Sequence, residues 1–179
     1  MNLIDLISKH PVPVTRFQRP YVIAEAGVNH EGSMDIARRL IDEAALGGAD
    51  AIKFQSYKAG TLASKDSPAY WDTTKEPTKS QYELFKKHDS FWKNEFEELA
   101  RYCDEVGITF LSTPFDVESA RFLDPLMPVF KISSSDITNK PFIQFLCDFG
   151  KPIIMSTGAS DLHEVCEAVE WIEAKGNKL

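Results

Sequence analysis

Three charged side chains stand inside otherwise apolar, β-prone runs of this 179-residue sequence: Glu25, Lys53 and Lys131. Strands of an all-parallel sheet are covered on both faces, so a charge within one needs a partner or a ligand. Side chains alternate across a strand, which puts Lys53 and Gln55 on one face and Ile52 and Phe54 on the other. The same count sets Lys131 opposite Phe130 and Ile132. Two ammonium groups converging at the C-terminal rim of a sheet make a site for an anion such as phosphate. Either lysine alone is equally well explained by snorkelling to the rim or by pairing with Glu25. At equivalent heights on two strands, the pair favours a ligand.

Hydroxyl-rich stretches follow the third, fourth and fifth β-prone runs: Ser112-Thr113-Pro114, Ser133-Ser134-Ser135-Asp136 and Ser156-Thr157-Gly158. Hydroxyls and free backbone N–H groups there are suitable neutral donors to phosphate or carboxylate oxygens. Any one of them is more simply a helix cap, and their repetition is what points to a ligand. His30, in GVNHEG, has the chemistry to polarise a substrate or bind a metal, although a lone loop histidine is more often structural. His10, His88 and His163 share no spacing and are assigned no role. Tyr70, Trp71, Tyr82 and Phe85 could wall a sugar, but packing as a satellite cluster under a long loop is the simpler reading.

Five short runs dense in Val, Ile or Phe are expected to form the strands that position these residues, at 20–27, 49–56, 107–114, 128–135 and 151–158. Amphipathic stretches between and after them predict helices at 33–46, 90–106, 117–123, 141–149 and 161–175. In the first, Ile36, Ala37, Leu40, Ile41 and Ala44 form the apolar stripe. In the second, Phe96, Leu99, Ala100 and Cys103 point inward and Gly107 follows as the stop. The alternation is that of βα units on a parallel sheet, hence an α/β fold. We read it as a TIM (β/α)8 barrel of which this chain supplies about the first five units, since closure takes eight and typically ~250 residues. An open doubly wound sheet could also stop at five strands. Residues 57–89 are too long for a standard connection and are expected to form an excursion above the barrel that shapes the site.

The composition fits one globular domain: 43% hydrophobic and 26% charged, with a net charge of −7. That acidic balance argues against a broad nucleic-acid or anionic membrane surface. The opening MNLIDLISKHPVPV lacks the pattern of a signal peptide, and no apolar run has membrane-spanning length. Cys103, Cys147 and Cys166 show no metal-ligand spacing and read as reduced thiols of a cytoplasmic protein.

The segment YVIAEAGVNHEGSMDIARRLIDEAALGGADAIKFQ closely resembles the opening of the sialic acid synthase family, which makes N-acetylneuraminate or N-acylneuraminate 9-phosphate. GITFLSTPFD, FKISSSDITN and GKPIIMSTGAS continue the resemblance in the same order, from about Arg19 onward. It implies condensation of phosphoenolpyruvate with an N-acylmannosamine, its 6-phosphate or a related hexosamine, giving a nine-carbon 2-keto acid and phosphate. It also implies a homodimer and a divalent metal, Mn2+ or Mg2+. The phosphoenolpyruvate site of the family corresponds to Lys53, Thr113, Lys131, Ser134 and Ser156. Gln55 and Asp136 correspond to positions facing the sugar, and Glu25 to an acidic position at the reacting centre. Glu25 and Asp136 are thus the candidates for proton transfer. Where many members carry Gly-Ser-Gly-Glu, this sequence has Ser133-Ser134-Ser135-Asp136, which shortens the carboxylate and removes two glycines. No metal ligand is assigned within residues 1–179, which are expected to be the N-terminal part of the barrel. The metal-binding histidines and antifreeze-like C-terminal domain of the family are expected outside it, and the chain alone is expected to be inactive. Two other readings remain open: a Schiff-base aldolase with Lys53 or Lys131 as the amine, and a non-catalytic phosphate-binding or interaction module with exposed sheet edges.

Overall fold

The structure, a computed structural model, describes residues 19–179. His10 and the opening segment lie outside the described residues. Five strands follow one another as β1 (Ile23–Gly27), β2 (Ala51–Ser56), β3 (Thr109–Pro114), β4 (Phe130–Ile132) and β5 (Ile153–Met155). All ladders are parallel: β1-β2-β3 form one sheet and β4-β5 another. The α/β class and the five strand positions expected from the sequence are present, with each strand shorter than expected. The continuous sheet is not, because no ladder joins β3 to β4 although the two lie side by side. The backbone N–H of Ser112 donates instead to the sulfur of Met127, just upstream of the three-residue β4, at 2.9 Å.

Register carries the alternation into three dimensions. Glu25 is opposite Lys53, Lys53 opposite Leu111, and Gln55 opposite Thr113. After Glu25 the β1 ladder slips by one residue. Gly27 takes a φ of +55° there, a left-handed conformation that glycine adopts at least cost.

Helices cover the sheets. α1 (Met34–Leu46) begins at Ser33, whose hydroxyl accepts from the N–H of Ile36 at 3.3 Å, and buries Ala37 and Ile41 fully. Ile36, expected in the apolar stripe, is 40% exposed on the first turn of the helix. Residues 57–89 are not a bare loop but hold α2 (Ala59–Leu62) and α3 (Gln81–His88), linked by an isolated antiparallel bridge between Pro68 and Ser80. Buried Asp89 ties them together by accepting from the N–H of Ala59 at 3.0 Å and pairing with Lys86 at 3.2 Å. α4 (Lys93–Val106) buries Phe96, Leu99, Ala100 and Cys103 as expected, and Gly107 ends it at a φ of +85°. α5 (Val117–Leu123), α6 (Lys140–Cys147) and α7 (Leu162–Ala174) complete the βα rhythm.

The core runs between sheets and helices through Phe54, Ile41, Phe96 and Leu99 on one side and Phe130, Ile143, Ile153 and Ile172 on the other. Past α7 the chain returns beside β5, where the carbonyl of Lys178 accepts from the N–H of Ile153 at 2.8 Å. Among the described residues no helix is long and apolar enough to cross a membrane.

Candidate active site

The C-terminal ends of the strands open into a cleft of about 390 Å³. Glu25, Lys53, Gln55, Thr113, Lys131 and Ser156 all line it, together with Gly27, Val28, Asn29 and Ser133. The alternation read from the sequence places Lys53 and Gln55 here while Ile52 and Phe54 are buried behind the sheet. Lys53 pairs with Glu25 and donates to the Thr113 hydroxyl at 3.3 Å, its side chain 12% exposed. Lys53 thus makes the ion pair with Glu25 and also lines the cleft. Lys131 donates to the carbonyl of Ile132 at 2.6 Å, and that carbonyl also accepts from the N–H of Ser156 at 3.1 Å, which links β4 to the loop after β5. Burial, aided by the like charge of Lys53 and opposed by Glu25, brings the Lys131 ammonium down to a pKa of about 8. An anion entering the cleft would relieve both effects.

Ser134 does not line this cleft. Its hydroxyl faces the loop after β5, where a Cβ added at Gly158 would lie 3.5 Å from it, and Ser133 takes the place at the wall. Strand alternation already sets Ser133 on the face of Lys131 and Ser134 on the other, and residues 134–136 continue as a short 3-10 turn. Ser112 is also turned away, sharing a buried hydrogen bond of 2.7 Å with Ser56 on the opposite face.

A second, larger cleft of about 690 Å³ adjoins the first, with Val28 and Gln55 lining both. Asp136 lies in this one. Its Oδ1 is 3.5 Å from the Asn139 amide, its buried Oδ2 has no partner, and burial raises its pKa. The opposite wall comes from the excursion: Leu62 at the end of α2, Tyr70, and Gln81, Leu84, Phe85 and His88 of α3. Tyr57 and Phe115, which directly follow β2 and β3, pack edge-to-face at 6.0 Å, and Tyr57 also meets Phe85 at 5.6 Å. Of the four aromatic residues weighed as a sugar wall, Tyr70 and Phe85 line the cleft. Trp71 instead donates its indole N–H to the carbonyls of Glu76 and Thr78, both at 3.1 Å, and holds the excursion together. Tyr57, Phe115 and Gln81 escaped the sequence reading, and His88 was assigned no role there, although the position of Tyr57 and Phe115 immediately after strand ends was a signal that could have found them.

His30 lies behind both clefts. It is 1% exposed, stacks on Phe91 at 3.9 Å, and its Nδ1 accepts from the N–H of Gly32 at 3.1 Å. Burial, with the nearby His88 adding to it, brings its pKa down to about 4. Its buried Nε2 has no hydrogen-bond partner, and it lines neither cleft. Among the described residues no three His, Cys, Asp or Glu side chains lie together as a metal ion would need.

Residues 40–179 match the NeuB family. The sequence is 40% identical over 165 residues to N,N'-diacetyllegionaminic acid synthase of Campylobacter jejuni, covering 90% of this chain and 49% of that one. It is 34% identical over 154 residues to human N-acetylneuraminate-9-phosphate synthase, covering 86% and 43%. The fold superposes on the N-acetylneuraminic acid synthetase of Leptospira borgpetersenii, solved in complex with citrate, at a TM-score of 0.77. That match has 31% identity and covers 93% of this chain and 56% of the other. The chain thus spans less than half the length of these curated relatives. With the sequence and the architecture in agreement over so much of its own length, the chain belongs to the NeuB family.

Proposed function

We propose that this chain forms the phosphoenolpyruvate side of a synthase. The enzyme would condense that compound with an N-acylated amino sugar to a 2-keto sugar acid, with release of phosphate. The observation that carries this reading is the pair of joined clefts. The smaller holds two lysines among hydroxyls and suits a multiply charged anion; the larger, walled by aromatic rings and polar groups with no lysine or arginine in its lining, suits a sugar. Gln55 stands where the two substrates would meet.

In this reading Lys53 and Lys131 hold the phosphate and carboxylate, and Thr113, Ser133, Ser156 and Asn29 complete the cradle. C3 of phosphoenolpyruvate attacks the aldehyde carbon of the open-chain sugar, and Asp136, which burial biases toward its protonated form, gives a proton to the aldehyde oxygen. Water then adds at C2 as Glu25 accepts its proton, and phosphate leaves by C–O cleavage. We assign Ser134 the task of holding the loop after β5 beside the site rather than direct contact. The divalent metal that the family resemblance implies would, in this reading, take its ligands from residues outside this chain. We further propose that a complete (β/α)8 barrel is built with the rest of the protein, starting from the backbone pairing of Lys178 with β5. The working form would be a homodimer in the cytoplasm, and the 179 residues alone would bind phosphoenolpyruvate without turnover.

The test uses the full-length protein with phosphoenolpyruvate carrying 18O at the bridging oxygen. We expect sugar-dependent release of phosphate that retains the label; sugar-independent release, or loss of the label, would refute the condensation. The lowered pKa of Lys131 is the one observation that favours a Schiff-base aldolase. Borohydride trapping with pyruvate separates the readings, since a condensation through phosphoenolpyruvate forms no imine and should leave the protein mass unchanged.

A further inference from the structure

His30 is an imidazole held in an aromatic cage, stacked on Phe91 at 3.9 Å and tilted against Phe54 at 6.2 Å. The turn around it is fixed as well. A Cβ added at Gly32 would come within 2.7 Å of the Ser90 hydroxyl, so the loop after β1 lies directly on the segment that follows α3. The two ring nitrogens are not equivalent. Nδ1 accepts from the Gly32 N–H at 3.1 Å and therefore carries no proton. The neutral ring holds its one proton on Nε2, which is buried without a partner. A phenyl ring would fill the cage equally well, whereas this N–H loses its hydrogen bond to water without replacement.

The group placed to receive that proton's hydrogen bond is His88. It lies close enough to act electrostatically on His30, and its Nδ1 is also buried without a partner. The neighbouring polar groups are committed elsewhere: Asp89 accepts from the N–H of Ala59 and pairs with Lys86, and Lys58 donates to the carbonyls of Asp89 and Phe91. His88 also lines the larger cleft. With Nδ1 turned into the protein, Nε2 is the nitrogen left to face that cleft. We propose that His30 donates its Nε2–H to the Nδ1 lone pair of His88, through a small turn of the His88 ring or one water between them. This holds His88 with its own proton on Nε2, directed at an acceptor oxygen of the ligand in the larger cleft. His30 is then a positioning residue and His88 a binding residue. The same loop carries Val28 into both clefts and Asn29 into the smaller one, so the pair fixes the α3 wall against a segment that lines both. The inference rests on the reading that the larger cleft receives the second substrate of the proposed condensation.

Two-dimensional 1H–15N NMR of the histidine rings in the 179-residue chain reads the tautomers directly. We expect His30 and His88 each as a single Nε2–H tautomer. In His30→Phe, which retains a ring against Phe91, His88 should become a mixture of both. Steady-state phosphate release by the full-length protein reads the ligand contact. The sugars offered with phosphoenolpyruvate are N-acetylmannosamine, its 6-phosphate and 2,4-diacetamido-2,4,6-trideoxymannose, and the best of them is used throughout. His88→Leu should raise the KM for that sugar about three- to tenfold while the KM for phosphoenolpyruvate stays within about twofold. His88→Gln, whose amide N–H reaches the position of Nε2, should recover most of the loss, and His30→Phe should show part of it. A mixed tautomer at His88 in the parent, an unchanged tautomer in folded His30→Phe, or a sugar KM unmoved by His88→Leu would each overturn this inference and leave the condensation intact. Phosphate release that no sugar stimulates would overturn the condensation itself, and this inference with it.

Discussion

In the proposed reading, Lys131 sets how the smaller cleft responds to pH. Its pKa, brought down from 10.5 to about 8 by burial and the neighbouring Lys53, should rise again when an anion binds. Binding of phosphoenolpyruvate near pH 8 should therefore take up protons, and its affinity should fall as pH rises through about 8. Calorimetry in two buffers of different ionisation enthalpy measures both effects; a pH-independent affinity between 7 and 9 would contradict them. His30 gives a second pH dependence with a different origin. Its folded pKa of about 4 lies below the ordinary 6.5, so it contributes stability that is fully present above pH 6.5 and lost as pH falls through about 4. His30→Phe should flatten the melting temperature over that window, provided the ring still stacks on Phe91. The lysines were legible in the sequence because charge inside a strand is conspicuous. Ser133 could have been read the same way, since alternation from Lys131 puts it on the cleft face; Ser134 was carried over from the family resemblance instead.

At the scale of elements, β1 delivers Glu25 through a ladder slip, and the left-handed Gly27 makes it possible. An added Cβ at Gly27 would meet Glu25 Oε1 at 3.5 Å, an ordinary contact, so Gly27→Ala should cost mainly the backbone term, about 1–2 kcal/mol. Chemical denaturation reads that loss, and a stability equal to the parent would mean the slip is not needed. The helices were legible wherever an apolar stripe and a cap coincide, as in α4, whose four inward residues are all buried. α2 and α3 were not, since residues 57–89 are polar and their order depends on tertiary ties: Asp89 to Ala59 and Lys86, and the indole of Trp71 to Glu76 and Thr78. These ties turn an apparent loop into the wall of the larger cleft.

For the molecule as a whole, the parallel α/β architecture followed from the βα rhythm alone, and the break between β3 and β4 is what that rhythm could not show. A ladder depends on the local course of the backbone, here diverted at Ser112 toward Met127. The two sheets nevertheless bring the ends of five strands to one rim, where Lys53 of β2 and Lys131 of β4 face the same cleft. That convergence across the break is the central claim, and isothermal calorimetry of phosphoenolpyruvate with the 179-residue chain and its Lys53→Ala/Lys131→Ala variant tests it most directly. We expect saturable binding to the parent and none to the variant with the fold retained. Equal binding by both, or no binding to the folded parent, would contradict the assignment of this cleft as the phosphoenolpyruvate site.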